Sequence, residues 1–330
     1  MMMIKRRTVI SVGGLWFAPL AGIAQSARKL YRIGILTVGT TAAATGPQAR
    51  SGSTAAFLRG MRELGYVYGE HFVTEARGAG DQPERFPALA TELVRLAPDV
   101  IVGAGPSLAA LKQATSTLPV VMASSDDPVG AGLVQSLAHP GGNFTGMSSQ
   151  STEVVGKRLE LLKELVPGAA PVAVLWHRDH LRTWQAAQAA ARLRGWTLLS
   201  VEIRDAGGID AAFKAATDAR AAALFIHAPT VLQLHAAEVA ELALRHRLPT
   251  MFHQVFYARA GGLMAYGADT TEIWHHAAVF VDKILKGAKP GDLPVEQPTK
   301  FELVINLKTA RALGITIPRS LLLRADEVIQ

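Results

Sequence analysis

The chain has no cysteine. That excludes disulfides, thiolate metal sites, a cysteine nucleophile and a lipid-modified N-terminal cysteine. Beyond the first two dozen residues there is also no apolar run long enough to span a bilayer. Clustered basic charge is missing too. The formal charge is +7, but Lys5, Arg6 and Arg7 fall within residues 1–24 with no acid among them. The +4 left on the rest is too dilute for a nucleic-acid footprint, so no nucleic-acid partner is expected. A Gly-x-Ser-x-Gly elbow, a Walker loop and a zinc-protease helix are all absent. Residues 103–108 half resemble a dinucleotide loop but lack its third glycine. His177 and His180 form one His-x-x-His in a loop, a weak metal signature without cysteine or a clear third ligand. The expectation is a protein with no cofactor, no metal and no catalytic activity.

What is present is ample apolar material. Of 330 residues, 49% are hydrophobic and 18% charged, which rules out a disordered or fibrous chain. A single core stops growing near ~250–300 residues, so two domains are expected. The N-terminus reads as an export signal. Lys5 to Arg7 is basic, Thr8 to Gly22 is apolar and small, and Gly22 and Ala24 suit the −3 and −1 positions of a cleavage after Ala24. The apolar run is short for a membrane anchor, which is the competing reading. Arg6-Arg7 also resembles a twin-arginine signal, so the export route stays open. The expected mature chain begins near Gln25 in the periplasm.

The body alternates strand and helix. Val- and Ile-rich runs at 31–38, 72–76, 99–103 and 118–122 read as strands, with helical spacing at 50–64 and 86–96 and a helix after Pro106. Asp127-Pro128 reads as the start of another helix. Residues 139–143 (His-Pro-Gly-Gly-Asn) are the densest turn signal. After them the alternation restarts: helix 153–166, strand 172–176, helix 183–194, strand 196–203, helix 209–217, strand 222–226, helix 232–247 and strand 249–252. This predicts an α/β fold of two doubly wound parallel-sheet lobes. Open parallel sheets bind ligands at the C-terminal ends of their strands. The rims to watch are therefore 37–41, 103–107 and 124–127 in the first lobe, and 176–180, 227–230 and 253–257 in the second.

Several longer motifs carry a resemblance. They are Asp127 to Val134, Pro140 to Gly146, Lys157 to Leu162, Gly261 to Met264 with Tyr266-Gly267, Ile284 to Pro290 and Pro298 to Lys308. Together they resemble the exported substrate-binding proteins of ABC importers, in the group related to tryptophan- and tyrosine-binding components. The resemblance covers essentially the whole chain. It implies a type I periplasmic-binding-protein fold: two lobes joined by hinge strands, closing on a small molecule without chemistry. It also implies three crossings between lobes, which divide the chain into 30–147 plus 267–294 and 148–266 plus 295–330.

Candidate ligand contacts sit on the rims. Thr37 and Thr41 offer hydroxyls, or belong to a solvated loop. Ser107 opens a helix, where it either receives a ligand carboxylate or simply caps. Ser125, Asp126 and Asp127 follow a buried strand; Asp127 precedes Pro128 and suits capping, leaving Asp126 to pair with a ligand ammonium. Family members often carry another polar residue in place of Asp126. Trp176 either stacks on an aromatic ligand or packs in the core. Arg178 suits a bidentate grip on a carboxylate. Pro229, Tyr257 and Tyr266 complete the expected lining of cleft or hinge. The leading reading is a monomer that captures an amino acid or other small carboxylate, with an aromatic one favoured by the resemblance and Trp176, and delivers it to an ABC permease at the inner membrane. The alternative is a binding protein that presents its solute to a receptor; an exported enzyme ranks below both.

Overall fold

The computed structural model describes residues 29–80, 82–168, 170–227 and 232–330. The expected signal peptide at 1–24 and Pro229 lie outside these residues. Strands β1 (Tyr31–Thr37), β2 (Phe72–Gly78), β3 (Val100–Ala104), β4 (Val120–Ser125) and β5 (Phe144–Ser148) form one parallel sheet in the order β2-β1-β3-β4-β5. The period-two pattern of these strands splits their side chains between two cores. Ile33, Ile35, Val100, Val102, Val121 and Ala123 enter the core shared with helices Gly52–Glu63 and Thr270–Leu285. Leu36, Ile101, Val120 and Met122 enter the core shared with helices Phe86–Arg95 and Ser107–Ala114. Helices thus cover both faces, which is why these strands read as nearly unbroken apolar runs.

The second sheet runs β12-β11-β10-β9-β8-β6-β7. Its strands are β6 (Val172–Trp176), β7 (Leu198–Glu202), β8 (Ala223–His227), β9 (Thr250–Phe252), β10 (Met264–Gly267), β11 (Glu302–Asn306) and β12 (Glu327–Ile329). Every pairing is parallel except that of β10 with β11. The exception follows from the path of the chain. It leaves β10, forms helix Thr270–Leu285 against the first sheet, and re-enters the second sheet at the end from which β10 departed. Asp269 caps that helix, its carboxylate accepting from the Thr271 N–H at 2.7 Å.

Gly60 permits a close contact between helices Gly52–Glu63 and Thr270–Leu285. A Cβ there would lie 2.5 Å from the His275 carbonyl oxygen and 2.9 Å from Ala278 Cβ. At the end of β5, residues 146–148 run beside 295–296. The Ser148 N–H donates to Glu296 O and the Glu296 N–H to Gly146 O, both at 2.9 Å.

One predicted element is absent. Residues 128–138 form turns, not the helix expected after Asp127-Pro128. The Asp127 carboxylate accepts from the Gly130 N–H at 2.7 Å, as a helix N-cap does, and the Ala131 N–H donates to Asp127 O at 2.9 Å. The turn stops there because Gly132 adopts a left-handed φ of 66° and the Leu133 N–H donates back to Pro128 O at 2.9 Å, the pattern that ends a helix.

Candidate functional site

The C-terminal ends of the two sheets enclose a cavity of about 500 Å3. Thr37, Gly105, Ser124 and Asp126, at or just past the ends of β1, β3 and β4, line it from one side; His180 and Gln254, past β6 and β9, line it from the other. Three helices of the first lobe begin on it, with Gly52 and Ser53, Pro106, and Thr270 and Thr271 in the wall. First-turn N–H groups and the aligned peptide dipoles make these ends electropositive. Trp274 and Phe256 add aromatic surface.

Asp126 is where charge concentrates. Its Oδ1 accepts from the Ser149 hydroxyl at 2.9 Å. Its Oδ2 lies 3.4 Å from both His180 Nδ1 and His227 Nε2. Burial pushes this carboxyl up, but the hydrogen-bonding reach and charge of His180 and His227 outweigh it and hold Asp126 well below the usual carboxylate range. Burial lowers His227 to about 4, against the pull of Asp126. His253, 4.5 Å from His227 ring to ring, is also driven down by burial and then by the neighbouring positive groups. At neutral pH the carboxylate is therefore ionised and these two imidazoles are neutral. His227 is fully buried, with Nδ1 unbonded and Nε2 facing Asp126 at the long 3.4 Å; Nε2 of His253 and the hydroxyl of Tyr257 have no hydrogen-bond partner.

Behind this cluster lies Arg158, 1% exposed. Its Nε donates to Tyr266 O at 2.6 Å, and its other nitrogens to Ser151 O at 2.6 Å and His253 O at 3.1 Å. Burial lowers its pKa to about 10, so it stays protonated at neutral pH and faces Asp126 as a counter-charge.

The residues singled out from sequence scatter around this geometry. Thr37 and Asp126 line the cavity. Asp127 sits beside it, capping its turn and pairing with Arg182 of the other lobe at 3.1 Å. Thr41 lies at the rim but accepts from the Gly78 N–H. Ser107 is fully buried, its hydroxyl bonded back to the N–H and carbonyl of Ala104. Ser125 is buried in β4. Trp176 packs in the second lobe's core, stacked on Trp184 and donating to the Ser200 hydroxyl, so it does not reach the cavity. Arg178 is exposed and pairs with Glu202. Tyr257 is buried between Phe252 and Phe256, and Tyr266 stacks on Phe301 where β10 ends.

The sequence model of ABC transporter substrate binding proteins matches residues 42–329. The chain belongs to this family. The family binds solutes and is not enzymatic. A tyrosine-binding protein from Clostridioides difficile (strain R20291) is 24% identical over 263 residues, 78% of this chain and 75% of that one. Two crystal structures agree in fold at 27% identity, each covering 91% of this chain and 100% of the other. One is a conserved domain protein from Vibrio cholerae, with TM-score 0.82. The other is an ABC domain from Streptococcus pneumonia in complex with L-Trp, with TM-score 0.80.

In this substrate-binding protein, reading the sequence missed the histidines that end strands. His227 closes β8 and His253 follows β9 directly. A signal was available: β6, β8 and β9 each run into a histidine at the same sheet edge. Arg158 gave none, because it interrupts an otherwise ordinary amphipathic helix, Val155–Leu165.

Proposed function

We propose that this chain is the exported solute-binding component of an ABC importer, taking an amino acid or other small carboxylate, an aromatic one favoured, between its lobes and handing it to a membrane permease. On this reading the lobes are 30–147 plus 267–294 and 148–266 plus 295–330, and the closed form is what the permease recognises. The observation that carries the reading is the charge layout of the inter-lobe cavity. Electropositive helix ends meet Asp126 across about 500 Å3, a size suited to one small molecule. A zwitterion matches both: its carboxylate at the helix N-termini beside Ser53 and Thr271, its ammonium on Asp126. Trp274 and Phe256 offer flat surface to an aromatic side chain, in keeping with the L-Trp complex of the Streptococcus relative. No helix among the described residues is long and apolar enough to cross a membrane.

A thermal-shift screen of the mature chain against amino acids, aromatic acids, nucleosides and sugars tests this. At a hundred times its Kd, a true ligand adds about 2.7 kcal/mol to folding stability. Stabilisation by an aromatic amino acid is the expected result, and a screen in which no carboxylate raises Tm contradicts it. A permease and an ATPase encoded beside this gene would support delivery to an importer.

A further inference from the structure

We propose that Asp126, His180 and His227 form a binding site for a divalent transition-metal ion of the zinc or cobalt type. Asp126 Oδ2 lies 3.4 Å from His180 Nδ1 and 3.4 Å from His227 Nε2, and all three ligand atoms fall within 4.8 Å of one another. Ligands bound at about 2.0–2.2 Å in a tetrahedron stand about 3.4 Å apart, so two of the three edges already have the required length. His227 supplies a further observation. It is fully buried, with Nδ1 unbonded and Nε2 held only by the long 3.4 Å approach to Asp126. A buried imidazole so weakly partnered carries a desolvation cost that an ion at Nε2 would offset. Two nitrogens and one carboxylate oxygen suit zinc-like ions and not calcium or magnesium.

The three ligands come from both lobes, Asp126 from beyond β4 and the histidines from beyond β6 and at the end of β8. The ion therefore ties the lobes together. Asp126 and His180 line the cavity, so the fourth coordination position opens towards the solute. Arg158 places a buried positive charge near Asp126, and an anionic fourth ligand such as a carboxylate best balances ion and guanidinium together. The ion site stands without the amino-acid reading, and its fourth ligand is water or an anion in the cleft.

The test uses the mature chain without a polyhistidine tag, stripped with EDTA and dialysed against Zn(II) or Co(II). The expected result is one ion retained per chain, with a visible Co(II) spectrum of nitrogen and oxygen ligation. Loss of a group that only hydrogen-bonds a metal ligand costs about 10–100-fold in metal affinity, so H227Q and D126N, which alter ligands themselves, should each weaken binding by at least about 100-fold. H235Q is the control: His235 pairs with Glu238 away from the cluster, and its loss should leave affinity unchanged. Asp126 lies at the cavity rim, so D126N keeps the test informative if H227Q fails to fold. Failure of the wild-type chain to retain either ion overturns the proposal, as does wild-type affinity in D126N. Solute binding measured in EDTA separates this outcome from the solute reading.

Discussion

Arg158→Met should destabilise the second lobe by about 3 kcal/mol. Arg158 is 1% exposed and its guanidinium serves the carbonyls of Tyr266, Ser151 and His253. Methionine fills much of the volume but donates nothing, leaving three buried acceptors without a partner. Each costs about 1–3 kcal/mol. Part of that is recovered because a buried cation is removed, whose strain with its surroundings shows in the pKa lowered to about 10. The net sits near the low end of the summed cost, comparable with breaking a buried ion pair at about 3–5 kcal/mol. Arg158→Lys keeps the charge but concentrates its donors on one atom, so it should fall between methionine and wild type. Urea unfolding followed by far-UV circular dichroism reads the change as a shift in midpoint at constant m. A loss below about 1 kcal/mol for Arg158→Met would refute the role assigned to these hydrogen bonds.

Gly60→Ala gains about 1 kcal/mol of helix propensity but drives a methyl to 2.5 Å from the His275 carbonyl. Overpacking costs about 1–3 kcal/mol, so the variant should unfold earlier, and an unchanged or raised Tm would show that the helices separate freely. Tyr66 is pushed up to about 12, first by burial and then by its hydrogen bond to Asp282 at 2.9 Å. Its folded pKa exceeds the ordinary value near 10, so its contribution is complete below about pH 10 and is lost as pH rises through about 12. The difference in phenolate absorbance between wild type and Tyr66→Phe should place this titration, and a midpoint at the ordinary value counts against it. Arg178→Ala should leave solute affinity within about twofold, because its exposed ion pair with Glu202 is of the kind worth about 0–1 kcal/mol. A tenfold loss by isothermal titration would bring Arg178 back to the cleft.

The architecture was legible because buried parallel strands leave a plain signature. Runs such as Val100 to Val102 and Val172 to Leu175 are apolar on both faces, and each is followed by helical spacing. The same alternation also carried the position of Trp176. It shares a face with Val172 and Val174, whose side chains enter the core, and so does its indole. Of the two readings open for Trp176, ligand stacking or core packing, its register selects the core. The turn after Asp127 misled for a different reason: Asp127 and Pro128 do start a capped turn, but the left-handed Gly132 stops it after one turn. The cluster around Asp126 depends on contacts between residues 23 to 101 positions apart in sequence. No local pattern encodes such a meeting; only the shared position at strand ends hints at it.

The account stands or falls on Asp126 facing a solute ammonium inside the cleft. Isothermal titration of the mature chain with aromatic amino acids, in EDTA, measures that directly for wild type and Asp126→Asn. The account predicts one site per chain, and a loss of at least about 2 kcal/mol, roughly thirtyfold, in the variant. Equal affinity in the two proteins, or no heat from any amino acid, would contradict it.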